Sequence, residues 1–271
     1  MTNITSEVQA DIRGQIQSQL QTADDELLPC FYAVTGSHQY GTDTTDSDID
    51  VKGFHCADGS QYMLFDPPTS QRKFETSLQP SNTTIEVTSY ELRKFGEMLL
   101  QCDFSIIEVI CGDNEVYSHD PQLLQGIEEI LTKTLPAELP VRYLGMAESI
   151  YEREVVDSTP TTSAELKPYV YALRGCLAAE YVQAHDKVEP RLRPLAEHIL
   201  TDQRQKQVAK FATAIQADRL PDQPVLDDIK EIIEEKLEVL EATPFVEVQR
   251  IEYKTALAEW MLEVRTQTNT R

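Results

Sequence analysis

The chain is short of positive charge. It carries 24 basic residues against 46 acidic ones, a formal charge of −22. Such a surface repels nucleic acid in general while leaving room for a local basic groove. A salt-rich host and a simple acidic solvated surface explain that charge equally well. Long apolar runs are also missing, and nothing approaches the roughly 18 residues that cross a bilayer. The opening stretch, MTNITSEVQADIRGQ, is polar and acidic. It lacks the basic start and apolar centre of a secretory signal, so a cytoplasmic protein without a membrane partner is expected. The five cysteines are odd in number and form no CxxC pair. That excludes a sequence-evident zinc site or disulfide framework and predicts reduced, mostly buried thiols. No GxxxxGK[ST] string occurs, which excludes a P-loop. No Ser–His–Asp arrangement can be argued, no basic-aromatic surface stands out, and no internal repeat is found.

What is present suits a globular protein. The chain has 271 residues, 41% of them hydrophobic, with a mean hydropathy of −0.38. Composition shifts near residue 120. Before it, short apolar runs alternate with turn residues; after it, helical periodicity dominates. The spacing predicts a helix over 5–20, strands over 28–36, 49–56 and 83–89, a loop over 66–71, and a helix of about three turns after residue 91. Thr88–Glu91 reads as a capping box for that helix, and Ser105–Glu108 as a second one. Further helices are expected at 121–134, 139–156, 163–185, 192–200, 203–217, 223–241 and 246–266. The fold class is therefore α+β: a small mixed sheet with flanking helices (1–120), then an all-helical region (121–271).

The residues that carry chemistry cluster in TGSHQYGTDTTDSDIDVKGF, residues 35–54. Side chains alternate along a strand, so Asp48, Asp50 and Lys52 share one face, with the two carboxylates about 7 Å apart along the backbone. Two acids so placed suit a hard cation that keeps waters or recruits phosphate oxygens. Gly36 lets the backbone approach a phosphate, and Ser37 supplies a hydroxyl. Asp46 reads as turn chemistry. His38 is a candidate nucleotide contact, His55 a strand residue with an ordinary hydrogen bond, and Tyr40 a packing residue. Trp260 reads as core packing or a partner groove.

Gly-Ser, about ten residues, then Asp-x-Asp between apolar residues resembles the signature of the DNA polymerase β-like nucleotidyltransferases. The longer string GSHQYGTDTTDSDIDVKGF, followed by YELRKF (90–95), is similar to a narrower group often encoded beside RNA ligases, the RlaP-like proteins. The resemblance covers 30–112 well and 160–185 more loosely. It implies a third carboxylate from a later strand, for which Glu86 in TTIEVTS is the choice over Glu91. It implies two-metal transfer of NMP from an NTP to a hydroxyl, with Mg2+ or Mn2+ held by Asp48, Asp50 and Glu86: one ion on Asp48 and Asp50, a second on Asp50 and Glu86. Gly36, Ser37, Lys52, Lys167, Tyr171 and Arg174 would contact the nucleotide, with Arg93 and Lys94 as further candidates. Lys167, Tyr171 and Arg174 fall on one helical face. The acceptor, RNA or a protein, stays open, as does the oligomeric state. The alternatives are a non-catalytic module that binds nucleotides or RNA ends, and a toxin–antitoxin-type interaction protein.

Overall fold

A computed structural model describes residues 4–21, 27–78, 83–239 and 247–268. Its contacts group into two compact units. The first comprises Met1–Gly36, Ser47–Pro136 and Val246–Arg271; the second comprises Ser37–Asp46 and Ala137–Phe245.

The first unit is built on a five-stranded mixed sheet. Its strands are β1 (Leu28–Thr35), β2 (Ile49–Cys56), β3 (Gln71–Ser77), β4 (Thr84–Glu91) and β5 (Glu115–Ser118), in the order β3-β4-β2-β1-β5. The pair β2 and β4 is parallel; the other neighbours are antiparallel. Alternation decides what each face does. Val34, Val51, Val87 and Phe74 form one rung across four strands. They join Ile49 and Ile85 in a core closed by Ile12, Ile16 and Leu20 of α1 (Ser6–Leu20). These three recur every four residues, which is why an otherwise polar helix docks.

The opposite face carries Phe54, whose ring meets Phe95 at 4.7 Å and Trp260 at 5.7 Å. Phe95 lies in α3 (Leu92–Leu100), which is followed by α4 (Phe104–Cys111) and α5 (Pro121–Lys133). Trp260 comes from the last helix, Glu247–Thr268. It is buried and donates from Nε1 to the Leu123 carbonyl at 2.8 Å, so it is core packing.

Both expected capping boxes are corrected. Thr88 lies inside β4, and Glu91 itself caps α3 by accepting from the Arg93 amide at 2.7 Å. Asp103, not Ser105, caps α4. In each case an acid accepts from the amide two residues on and does what a hydroxyl was expected to do. Two strands, β3 and β5, were not anticipated: QRKFETS has one large apolar residue, and EVYS is only four residues long.

Gly53, in the middle of β2, has no room for a side chain. A Cβ there would overlap the Phe31 carbonyl and the Tyr32 ring. Beside it, the buried Ser89 hydroxyl sits 2.5 Å from the Tyr32 hydroxyl and 2.6 Å from His55 Nδ1. Burial pushes the Tyr32 phenol well above its ordinary pKa, which keeps it protonated. Ser89→Ala removes the shared partner of two buried groups. We expect a loss of about 1–3 kcal/mol in urea unfolding, whereas a loss below a few tenths would mean that water replaces the hydroxyl.

The second unit is helical, with α6 (Leu139–Ile150), α7 (Lys167–His185), α8 (Leu192–Ile199), α9 (Asp202–Gln216) and α10 (Gln223–Val239). A π turn (Tyr151–Val155) extends α6. The buried residues of α10 are Val225, Leu226, Ile229, Ile232 and Ile233; the end of the helix expected over 223–241 lies outside the described residues. The described cysteines are all free, and only Cys111 is not fully buried. Burial pushes the thiols of Cys111 and Cys176 up to about 12. No described helix is long and apolar enough to cross a membrane.

Candidate active site

Asp50 is the second residue of β2. Its register partner on β4 is Glu86, and its partner on β1 is Thr35. Glu86 in turn faces Glu75 on β3. Strand spacing of about 4.8 Å therefore sets Thr35, Asp50, Glu86 and Glu75 side by side in one rung. The next rung on that face holds Lys52, Thr88 and Lys73. A row of acids thus runs beside a row that offers two cations.

Gly36 ends β1 with φ +66°, a conformation most side chains resist. A Cβ at this position would fall on Oδ2 of Asp50. The carboxylate is packed against bare backbone, which explains why a glycine stands here. Gly36→Ala would strain the turn by about 1–2 kcal/mol and push the Asp50 carboxylate aside. We expect divalent-cation binding at Asp50 to weaken more steeply than thermal stability falls; equal, small changes in both would show that the turn does not position Asp50.

Asp48 is exposed and lies one residue before β2. Glu86 is exposed and Asp50 half-buried. Among the described residues, no three His, Cys, Asp or Glu side chains are grouped so as to hold a metal ion. The three expected carboxylates are thus not a closed cage. Magnesium is commonly held by one or two carboxylates, with water and substrate phosphate filling its other positions, and the Asp50–Glu86 pair suits that donor set. Glu91 is removed from consideration. It lies on the other side of β4 from Glu86 by strand parity, is 2% exposed, and pairs with Arg265 at 2.9 Å. Lys52 extends Nζ to Ser105 Oγ at 3.4 Å, and that hydroxyl donates to Asp103 Oδ1 at 2.8 Å.

The remaining expected residues belong to the second unit. Ser37 follows Gly36 in α2 (Gly36–Tyr40), a five-residue helix. His38 Nδ1 lies 3.7 Å from Asp43 Oδ2. Lys167 is exposed at the start of α7, Tyr171 is half-buried, and Arg174 has no exposure at all. The Arg174 guanidinium stacks 3.8 Å from the Tyr40 ring centre, and Tyr171 meets Tyr40 edge-on at 5.8 Å. Gln216 Nε2 donates to the Gly41 carbonyl at 3.1 Å. These contacts hold the segment 37–46 against the helices of its own unit. Tyr40 is a packing residue as expected, and His55 has the ordinary hydrogen bond foreseen for it.

A mixed sheet with an in-register acid pair beside a glycine turn, on a chain with the Gly-Ser and Asp-x-Asp strings, fits the polymerase β-like nucleotidyltransferases. The chain belongs to the RNA repair pathway DNA polymerase beta family, RlaP, whose profile matches residues 12–259. Nucleotidyl transfer is the general activity of that class. The chain is also similar to the uncharacterized protein YcgL of Bacillus subtilis, at 24% identity over 161 residues. That alignment covers 59% of this chain and 58% of YcgL, less than two thirds of its length. A nucleotidyltransferase-like protein from Exiguobacterium sibiricum aligns over 96% of this chain and 80% of its own at 10% identity, with a TM-score of 0.31.

Proposed function

We propose that this protein transfers NMP from an NTP to a hydroxyl acceptor, with RNA as the leading acceptor class. The observation that supports it most is the Asp50–Glu86 register pair set against Gly36. Bound magnesium or manganese would neutralise the triphosphate and lower the pKa of the acceptor hydroxyl. Asp50 and Glu86 would hold that cation, with water and substrate phosphate filling its other positions; the part of Asp48, exposed one residue before β2, rests on the resemblance alone. The bare backbone at Gly36 lets a phosphate approach, and Ser37 offers a hydroxyl. The acceptor oxygen bonds to the α-phosphorus while the bond to the pyrophosphate oxygen breaks, and the hydroxyl proton leaves to water. Lys52, tethered by Ser105, faces the same rung side and offsets charge on the leaving pyrophosphate. Lys167 and Tyr171 are retained as nucleotide contacts on the resemblance alone; Arg174, buried on Tyr40, would serve by holding the 37–46 segment of its own unit.

The test is transfer of label from each α-labelled NTP, with magnesium or manganese, to RNA ends and to protein acceptors. Label in an acceptor, with pyrophosphate released in equal amount, supports the reading. NTP binding with no transfer to any acceptor would replace it with a nucleotide-binding module.

A further inference from the structure

In the second unit, α9 and the turn that follows it form an open groove of about 600 Å³. Lys206, Lys210 and Thr213 enter it at helical spacing, and Arg219 and Asp222 line its far end. The floor is small and apolar, including Ala209 and Ala214. Among the described residues, none of the three cationic side chains has a hydrogen bond or an ion pair. Nearby Arg204 pairs with Glu231 and Glu235, Lys236 with Glu180, and Arg191 with Glu189.

On a chain with nearly twice as many acids as bases, three cations against one acid, Asp222, in one concavity amount to a local excess of positive charge. It has no structural benefit: like charges four residues apart on a helix destabilise it by a few tenths of a kcal/mol. Lys206 and Lys210 stand one turn apart, about 6 Å, and Arg219 prolongs the line beyond the helix end. A row of point charges along an open trough suits a chain of phosphates better than one compact anion. No aromatic side chain lines the groove, so no platform exists on which bases could stack.

We propose that this groove holds the phosphodiester backbone of a single-stranded nucleic acid without reading its bases. It deepens the reading above by naming a surface on which a strand acceptor would lie, and rests on that reading only for the strand's purpose. The binding itself is independent of transfer.

The test uses labelled RNA and DNA strands of about twelve nucleotides, within the usual site size, with fluorescence anisotropy across a salt series. Both strands should bind at low salt. The exposed triple variant Lys206→Gln, Lys210→Gln, Arg219→Gln should bind at least tenfold more weakly and flatten the log–log salt slope by about 2, the value for three backbone contacts on a single strand. A control with the same charge change elsewhere, Lys133→Gln, Arg142→Gln, Arg153→Gln, should stay within about twofold, since removing distant screened charges has little reach. Melting curves check that both variants fold. Asp50→Asn should bind the strands like the wild type, so a failure of transfer leaves this inference standing. Equal losses in the two triple variants, no binding at low salt, or complete displacement by millimolar inorganic phosphate would each overturn it.

Discussion

Asp50→Asn lowers nucleotidyl transfer by roughly a thousandfold, about 4 kcal/mol of transition-state stabilisation, and leaves the fold intact. The substitution keeps the shape that packs against Gly36 and removes only the charge. Its stability cost is expected to be nil or negative, because Asp50 stands beside Glu86 in a row that also holds Glu75. Relieving one like-charge neighbour on a sheet is worth a few tenths of a kcal/mol. Glu86→Gln follows the same pattern with a smaller loss, on the order of a hundredfold. The measurement is single-turnover transfer with manganese and magnesium, paired with a thermal melt. Wild-type rates in Asp50→Asn would remove the acid pair from the mechanism.

Arg265→Ala produces the largest loss of stability, about 3 kcal/mol. Arg265 donates to Glu91 Oε1 at 2.9 Å, to the Tyr62 hydroxyl at 3.2 Å and to the Ala57 carbonyl at 3.3 Å. Its guanidinium also lies 4.5 Å from the Tyr62 ring centre. The Glu91 side chain is 3% exposed. Removing the arginine strands a buried carboxylate, and that is what makes the substitution costly. The contrast is Arg204→Ala. Its carboxylate partner Glu235 is 47% exposed, and water replaces the lost contact for less than about 1 kcal/mol. Calorimetry should show a drop in Tm of roughly 6–12 °C for Arg265→Ala and little for Arg204→Ala. Similar drops in both would mean that burial of Glu91 does not govern the cost.

Much of this was legible before any coordinates. The strand over 49–56 and the helices over 121–134 and 192–200 show strong local periodicity, and their ends fall within a residue of those expected. Strand alternation put Asp48 and Asp50 on one face and the resemblance alone named Glu86; that Asp50 and Glu86 are register partners on β2 and β4 was not legible, because register is set by topology. Glu75 and Lys73, which extend the two charged rungs, were not legible either, because β3 holds Phe74 as its only large apolar residue and offers no alternating apolar pattern. Arg174 was legible as part of a helical face but not as a buried residue. Its burial depends on Tyr40, more than 130 positions earlier. The Arg265–Glu91 pair was hidden for the same reason. Local patterning says which residues share a face, while long-range partners are set by topology.

That topology bears on biosynthesis. The helix Glu247–Thr268 supplies Trp260 to the aromatic cluster of a unit whose sheet is complete by residue 118. On the ribosome, the sheet must wait through more than a hundred further residues before this helix can cover Phe54. Until then the Phe54–Phe95 pair lacks the ring that packs on Phe54, and a chain cut short before Trp260 leaves apolar surface of the kind that favours aggregation.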